Sequence, residues 1–189
     1  MHTFPIIIYT DSALTKKVRS IQQELHELTG SKACLELWEP HITVGSAVKV
    51  DDDEVADLLN DMKDATRGLK PFQINIENFN FMDNWPGGKM DDYTPYVVYL
   101  DVIVNPQLQR LAENIRDTVT SKRNCSYTMP WPYNPHLTVA FKDLNKEEFE
   151  KAKQLLQGRT FKYTTMVDHV ALAEELPNGN CVVYKKWTL

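Results

Sequence analysis

The hydrophobic residues of this chain recur with two different periods, and the two periods alternate along the sequence. Apolar residues three or four positions apart predict amphipathic helices, whereas alternating apolar and polar residues predict strands. The first helical stripe runs from Leu14 to Leu28, just after an N-cap candidate at Asp11 or Ser12. Gly30 is placed to end this helix.

Three further helices are predicted by the same spacing. The second begins in the acidic run 51–54, whose carboxylates favour a helix N-terminus. The third follows Asn105 and Pro106, and the fourth begins near Asn145. Alternation predicts strands at 5–10, 41–44, 72–81, 96–104, 136–141, 161–173 and 181–187. The order βαβαβ followed by βαβαββ predicts an α+β protein with two similar lobes.

Two local signals refine the strands. Asn78 interrupts the alternation between Ile76 and Phe79, which predicts a β-bulge. Asn178 and Gly179 lie between the last two apolar runs, and Asn-Gly in that position predicts a hairpin.

The chain also repeats a short motif. Residues 39–44 read Glu-Pro-His-Ile-Thr-Val, and residues 134–139 read Asn-Pro-His-Leu-Thr-Val. The two histidines are 95 positions apart in a chain of 189 residues, which is close to half its length. A match at that spacing predicts an internal duplication. We therefore expect a single bilobal domain over 1–189. Its two sequence repeats would span about 1–92 and 93–189.

Each motif has a polar and an apolar face if it forms a strand. In the first, His41, Thr43 and Gly45 share one face, and the reverse is apolar. In the second, the polar face carries His136, Thr138, Ala140 and Lys142, and the reverse face carries Leu137, Val139 and Phe141. Pseudo-two-fold symmetry between the halves would bring the two polar faces together across one groove.

Two imidazoles and two hydroxyls in one groove suit phosphodiester chemistry. An imidazole titrates near pH ~6.5, so one ring can act as base while the other acts as acid. Threonine hydroxyls can donate hydrogen bonds to the nonbridging phosphate oxygens. A single His-x-Thr on a strand is more often structural than catalytic. The pairing of His41 and Thr43 with His136 and Thr138 is what indicates a catalytic site.

The two motifs resemble the defining pattern of the two-histidine (2H) phosphoesterase superfamily, which consists of paired His-x-Thr/Ser tetrads on strands. The tetrads here are residues 41–44 and 136–139, and both are intact. The superfamily includes bacterial 2′-5′ RNA ligase-like proteins and cyclic nucleotide phosphodiesterases. The resemblance covers essentially the whole chain in motif order, spacing and length.

The resemblance implies a bilobal α+β fold in which antiparallel sheets line a central groove, with helices outside. Terminal strands can cross between lobes in this superfamily. It also implies metal-independent cleavage of 2′,3′-cyclic phosphates, 2′-5′ linkages or cyclic nucleotides. His41 and His136 would be the acid/base pair, with either order open, and Thr43 and Thr138 would hold the phosphate. The alternatives are 2′-5′ RNA end ligation and nucleotide binding without turnover.

Several other residues are candidates for substrate binding, each with a structural alternative. Lys142 shares the predicted face of His136, where it would neutralise a phosphate or be a solvated lysine. Trp131 and Tyr133 precede the second motif, where they would stack on a base or plug the core. The cations nearest to that loop in sequence are Lys122 and Arg123.

Tryptophans also occur in the long loop 83–95 and in the segment just before the first motif. Trp85, Lys89 and Tyr93 would form a lid, although a mobile surface loop is the simpler interpretation. Trp38 has the same parity as Ile42 and is expected in the core.

The charge and the cysteine content of the chain limit which partners and which kinds of site it can have. The net charge of −5 and the pI of about 5.5 argue against a long basic nucleic-acid surface, so we expect a nucleotide or an RNA end as substrate and no DNA. The three cysteines form no CxxC pair, which predicts free thiols and no zinc site. No segment reaches the ~20 apolar residues that a membrane span needs. We expect a cytoplasmic monomer that needs no metal and no cofactor.

Overall fold

The computed structural model describes residues 1–85 and 94–189, in which an antiparallel sheet packs against helices. The strands are β1 (His2–Tyr9), β2 (His41–Val50), β3 (Phe72–Met82), β4 (Val97–Ile103), β5 (Cys125–Tyr127), β6 (His136–Phe141), β7 (Lys162–Val167), β8 (His169–Glu175) and β9 (Cys181–Thr188). The helices are α1 (Ser12–Thr29), α2 (Ala33–Glu36), α3 (Val55–Thr66), α4 (Pro106–Thr118) and α5 (Lys146–Leu156). Single 3₁₀ turns lie at Asp52–Glu54 and Thr120–Lys122. The α+β class is confirmed.

The strands within the described ranges join in the order β7-β3-β4-β6-β2-β1-β8-β9, and the short β5 pairs with β2. All of these pairings are antiparallel. The two motif strands, β2 and β6, are neighbours in the middle of this order. The sheet therefore brings the two repeated motifs together at its centre.

The helices cover the apolar side of the sheet. Helix α1 packs on β6, whereas α4 packs on β2, so each motif strand is supported by the helix from the other half of the chain. Ile42 and Leu137 are almost fully buried on this side. Complete burial of such a side chain typically contributes ~1.5–3 kcal/mol, which fixes the face that each motif strand turns inward.

The helix ends follow the capping signals. The Asp11 carboxylate accepts hydrogen bonds from the amides of Ala13 and Leu14, and Gly30 ends α1 with φ of 81°. The side chains of Asn105 and Asn145 cap α4 and α5. These four capping predictions are confirmed.

The bulge and the hairpin are also present. The register of β3 against β4 shifts between Glu77 and Phe79, and Asn78 has a φ of 49°. The last two strands pair antiparallel across the turn that holds Gly179, whose φ is 83°.

One strand prediction was wrong. The run 161–173 forms two strands, not one, because the chain changes neighbours at Asp168. β7 pairs with β3 at one end of the sheet, while β8 pairs with β1 and β9 toward the other end. Apolar residues recur through both strands, alternating in β7 and consecutive at 170–173 in β8, so no break in the apolar run marks the crossing.

Candidate active site

The four residues of the paired motifs meet in one groove. Ile42 and Leu137 are Cα partners across β2 and β6. The side chains on the opposite face of these strands, His41, Thr43, His136 and Thr138, all line a groove of about 230 Å³. All four residues are partly exposed.

Both histidines are held in the same way. Nδ1 of His41 lies 2.8 Å from the carbonyl oxygen of Glu39, two residues earlier. Nδ1 of His136 lies 3.1 Å from the carbonyl oxygen of Asn134, again two residues earlier. A carbonyl oxygen only accepts, so each Nδ1 carries the proton and donates it. Nε2 is then the nitrogen left to exchange a proton with a substrate in the groove.

The two imidazoles differ in their electrostatic surroundings. Burial lowers the pKa of His41; the hydrogen bond to the Glu39 carbonyl partly offsets this effect, and the neighbouring charge of His136 lowers the pKa further by a smaller amount. Burial also lowers the pKa of His136, but the Asn134 carbonyl and the negative charge of Asp101 act in the opposite direction. Only His136 therefore has a carboxylate among the groups that shift its pKa.

Asp101 lies beside His136 on the neighbouring strand. Asp101 on β4 is the Cα partner of His136, and Tyr99 on the same strand packs its ring 5.2 Å from the imidazole. The corresponding neighbour of His41 on β1 is Tyr9, whose pKa burial raises to about 12. Each histidine thus has a phenol nearby, and His136 has a carboxylate residue beside it as well.

A bulge in β2 changes the predicted face of Gly45. Thr43 pairs with Ile7 and Gly45 pairs with Ile6, so Val44 is the extra residue. A Cβ on Gly45 would lie 2.6 Å from Cγ2 of Ile115 on α4, which places this position on the core side. The prediction that Gly45 shares the face of His41 was wrong, although its backbone still borders the groove.

The same bulge occurs in β6. Thr138 pairs with Tyr99 and Ala140 pairs with Val98, so Val139 is the extra residue. Ala140 is consequently buried in the core, and Phe141 lines the groove. These two faces are the reverse of the prediction, because a bulge shifts the alternation by one residue.

Lys142 does not extend the polar face of β6. The strand ends at Phe141, and Lys142 has a φ of 81°. Its ammonium nitrogen lies 6.0 Å from the centroid of the Trp38 ring, and the residue is not among those that line the groove. Lys142 therefore lies beyond the end of the strand that carries His136, with its ammonium group beside Trp38, which itself lines the groove.

Trp131 and Tyr133 have different positions from those expected. Trp131 lies outside the groove, where the guanidinium of Arg116 covers its ring at 4.2 Å. Tyr133 lines the groove but is buried, and its hydroxyl donates to the carbonyl oxygen of Thr43 at 2.8 Å. Tyr133 therefore connects the loop before the second motif to the first motif and offers no open ring face to a base.

Of the other candidate cations and lid residues in the described part of the chain, only Trp85 lies at the groove. Lys122 and Arg123 both pair with Asp61, at 3.3 and 2.7 Å, and do not line the groove. Trp85 lines the groove, as a lid residue would. Lys89 and Tyr93, the other two lid candidates, lie outside the described residues.

Trp38 belongs to the groove and not to the core. It is partly exposed, and its indole N–H donates to the carbonyl oxygen of Gly179 at 3.1 Å. The parity argument failed because α2 ends at Glu36 and β2 begins only at His41, so the intervening segment does not alternate. Its ring stacks on Phe141, with centroids 5.7 Å apart.

Arg19 is a further residue that the sequence did not single out. Its guanidinium donates to the carbonyl oxygens of Cys34 at 2.7 Å, Leu35 at 3.0 Å and Trp38 at 3.0 Å. It also pairs with the carboxylate of Glu39 at 3.2 Å. Arg19 thereby fixes the segment whose last carbonyl orients His41.

The thiols and the metal-ligating side chains are the last groups of the site. The three thiols are free, and burial raises the pKa of Cys181, which lines the groove, to about 12, so this thiol is protonated at neutral pH. In residues 1–85 and 94–189, no group of three or more His, Cys, Asp or Glu side chains is arranged to hold a metal ion. None of the helices in those ranges is long and apolar enough to cross a membrane.

Comparison with known proteins decides the family. A family model described as the 2′-5′ RNA ligase superfamily matches residues 3–178, a span that includes both motifs. The chain belongs to this superfamily. The resemblance to the 2H phosphoesterases is thus confirmed.

The relatives of this chain are distant in sequence. A Bacillus licheniformis protein named "Putative phosphoesterase" is 24% identical over 155 residues, covering 81% of this chain and 82% of the relative. A Bacillus mycoides protein with the same description is 25% identical over 156 residues, covering 81% and 80%.

Two solved structures share the fold of this chain. TT0787 of Thermus thermophilus aligns with a TM-score of 0.70 at 18% identity, over 100% of this chain and 98% of that one. LigT of E. coli, in a crystal structure with 3′-AMP, aligns with a TM-score of 0.67 at 14% identity, over 100% and 98%. These values extend the similarity of fold to the entire chain.

Proposed function

We propose that this protein is a metal-independent phosphodiesterase that hydrolyses a 2′,3′-cyclic phosphate, a 2′-5′ linkage or a cyclic nucleotide. The observation that carries the proposal is the pair of histidines, His41 and His136, whose Nδ1 atoms are both bound to backbone carbonyls and whose Nε2 atoms are left for one shared groove. Support comes from the relatives that are named phosphoesterases and from the LigT structures with nucleotides.

His41 is the general base and His136 the general acid in this proposal. The Asp101 carboxylate favours the protonated form of His136, whereas His41 has a neutral phenol beside it and its pKa is lowered by burial and by the charge of His136. The most populated working state at mildly acidic pH therefore has neutral His41 and protonated His136.

The reaction can be written through these atoms. Nε2 of His41 takes a proton from water as the water oxygen forms a bond to phosphorus. The ester P–O bond to the leaving oxygen breaks, and Nε2 of His136 gives its proton to that oxygen. Thr43 and Thr138 donate hydrogen bonds to the nonbridging oxygens, where negative charge increases. Proton exchange with solvent then restores both histidines.

End joining is the second candidate, and the superfamily's description favours it. The same groups would then accept a 5′-hydroxyl in place of water, with His41 taking its proton. A third outcome is nucleotide binding without turnover. The cytoplasmic location and the monomeric state of the protein stay predictions.

A substrate screen tests the proposal. The protein is incubated with 2′,3′-cyclic mononucleotides, 2′-5′ oligoadenylate, cyclic dinucleotides and a mixture of cyclic-phosphate and 5′-hydroxyl RNA ends, with EDTA present, and products are identified. We expect hydrolysis by the wild type that is lost in His41→Ala and in His136→Ala, with His26→Ala on α1 as the matched control. Joined ends would favour ligation. Full activity in either groove variant, or binding without any product, contradicts the proposal.

A further inference from the structure

A second cavity, of about 320 Å³, lies beside the groove at the end of α4. The last turn of α4, the 3₁₀ turn that follows it and the segments 123–125 and 128–131 line this cavity. Met129 borders both cavities, and its backbone amide donates to Oγ of Ser46 at 2.9 Å. The residues of the paired motifs line the groove and not the second cavity. The two cavities are therefore neighbours with separate linings.

Arg116 brings one guanidinium group to the second cavity. The carboxylate of Asp117 accepts hydrogen bonds from its Nε at 2.6 Å and from its Nη2 at 3.2 Å. The guanidinium carbon also lies 4.2 Å from the ring centroid of Trp131, which lines the same cavity. The carboxylate and the indole ring together hold this guanidinium in a defined orientation.

Arg123 brings a second guanidinium group, which is only 10% exposed. Its Nη1 donates to the carbonyl oxygen of Val119 at 3.0 Å, and its Nη2 pairs with Asp61 at 2.7 Å. Asp61 also pairs with Lys122 at 3.3 Å. The three cations of this cluster, at positions 116, 122 and 123, thus share two carboxylates, at positions 61 and 117, and one positive charge remains.

Both guanidinium groups keep hydrogen-bond donors for a ligand. Nη1 of Arg116 and Nε of Arg123 donate to no acceptor within residues 1–85 and 94–189. The side chains of Asn124 and Thr128 also line the cavity and are exposed. A guanidinium is a planar fork of five N–H donors that matches the oxygens of a phosphate, and amide and hydroxyl groups add further donors.

We propose that the second cavity is a binding site for the phosphate group of a small anion. The donors belong to α4, to the segment after the 3₁₀ turn and to the loop before the second motif, so they suit a tetrahedral anion whose oxygens point in several directions. The volume of about 320 Å³ lies at the lower end of the usual range of about 300–1,000 Å³ for small-molecule sites. The site does not depend on the function proposed for the groove.

Calorimetric titration with inorganic phosphate tests the site. The titration uses the double variant His41→Ala/His136→Ala, which removes both imidazoles from the groove and leaves the second cavity intact. We expect one phosphate to bind, and to bind more weakly as the salt concentration rises. In this background Arg116→Gln should weaken binding at least about tenfold, because a charged donor is lost. Arg159→Gln, which removes a charge from an exposed pair with Glu24, is the matched control.

A second variant tests the same cavity without changing an ion pair. Ser121 lines the cavity and is exposed, so the carboxylate of Ser121→Glu should repel a phosphate and abolish its binding. Ser20→Glu, at an exposed position on α1, adds the same charge outside the cavity and is the control. Circular dichroism shows whether each variant is folded.

The phosphate has two sources, a free small anion or the second phosphate of a nucleotide whose first phosphate lies in the groove. Adenosine 3′,5′-bisphosphate separates them in protein with an intact groove. If one molecule spans both cavities past Met129, Arg116→Gln weakens its binding and one molecule binds per protein. If the second cavity takes a separate anion, Arg116→Gln leaves the binding of this nucleotide to the groove unchanged.

Two results overturn the second site. One is that the double groove variant binds no phosphate, and the other is that its phosphate binding is unchanged in both Arg116→Gln and Ser121→Glu. Neither result bears on the phosphodiesterase, because hydrolysis by the wild-type protein tests that proposal by itself. Loss of hydrolysis in the groove variants with phosphate still bound in the second cavity would support both.

Discussion

Ile42 and Leu137 lie opposite each other as Cα partners in adjacent antiparallel strands, and each is the residue between the histidine and the threonine of its motif. Extending this register by one residue in each direction brings His41 level with Thr138 and His136 level with Thr43. A phosphate bound above the pair would then have a histidine and a threonine from different strands on each side. The pairing explains why both motifs are needed to form one site.

The assignment of His136 as acid predicts a dependence on the leaving group. His136→Ala should lose about 10²–10⁴-fold in kcat with a ribose oxygen as leaving group, the usual contribution of one positioned proton transfer. The loss should be small with a p-nitrophenyl nucleotide ester, because p-nitrophenolate leaves without protonation. His41→Ala should be equally impaired on both esters, since the attacking water still needs a base.

The comparison of the two esters can contradict this assignment in a specific way. If His41→Ala recovers with the nitrophenyl ester and His136→Ala does not, the two roles are reversed. Circular dichroism and thermal unfolding of both variants show whether the fold is intact.

Asp101 predicts a shift in the pH profile. His136 faces Asp101 and Tyr99 on β4 and His41 on β2, and of these only Asp101 is negatively charged. Its charge raises the pKa of His136, so Asp101→Asn should lower that pKa and move the alkaline limb of kcat/KM to lower pH. The acid limb, which reports His41, should move little. Asp117→Asn, a carboxylate paired with Arg116 on α4, is the control.

The wild-type profile follows from the same shifts. Burial lowers the pKa of both histidines below the ordinary value of ~6.5, so the kcat/KM optimum should lie on the acid side of ~6.5. Bound diester adds a negative charge beside both rings and should raise the limbs of kcat relative to those of kcat/KM. An alkaline limb of kcat/KM well above neutrality would contradict this.

The sequence predicted what depends on local pattern. The caps at Asp11, Asn105 and Asn145 and the bulge at Asn78 are signals within a few residues, and each is present. The paired motifs were visible because they repeat, and the structure places both on neighbouring strands.

The parts that the sequence did not predict depend on long-range pairing. Asp101 becomes the neighbour of His136 only through the register of β4 against β6. Phe141 reaches the groove because a bulge at Val139 reverses the alternation, and no Gly or Asn marks that bulge in the sequence. Arg19 looks like an ordinary polar position of a helix until the segment 34–39 folds over it.

Arg19 should act as a positioning residue for His41. Arg19→Ala frees the segment that carries the Glu39 carbonyl, and we expect kcat to fall by about 10- to 100-fold, because small misplacements of a catalytic group are costly. The Glu39 contact raises the pKa of His41, so its loss should also move the acid limb of kcat/KM to lower pH. A variant that only loosened the fold would leave that limb in place. Arg67→Ala, an exposed pair with Asp64, is the control.

Gly45 should be intolerant of a side chain. A Cβ there would lie 2.6 Å from Cγ2 of Ile115, so Gly45→Ala should lower the free energy of unfolding by about 1–3 kcal/mol, as overpacking usually does. Urea denaturation measures the change. Ile115→Leu removes the branched methyl group, and the double variant should therefore be less destabilised than the sum of the two single changes. If the two changes in unfolding free energy simply add, the contact between a Cβ at position 45 and Ile115 is not the cause of the destabilisation.

His2 predicts a pH dependence of stability that is separate from catalysis. Its ring joins three segments, with Nε2 2.6 Å from Asp52 and Nδ1 2.7 Å from Glu174. The hydrogen bond to Asp52, followed by that to Glu174, raises the pKa of His2 in the folded protein above its ordinary value of ~6.5. A raised folded-state pKa contributes stability that is complete below ~6.5 and is lost as the pH rises through the folded-state value.

His2→Ala should therefore destabilise the protein more below pH ~6.5 than above the folded-state pKa of His2. Urea denaturation of both proteins across this range measures the difference in the free energy of unfolding. Glu174→Gln, which keeps the shape of the side chain and removes one of the two charges, should reduce the pH dependence without abolishing it. A destabilisation that grows with rising pH would show that the folded protein holds the ring in its neutral form, and the ionic pairing of His2 with Asp52 and Glu174 would be wrong.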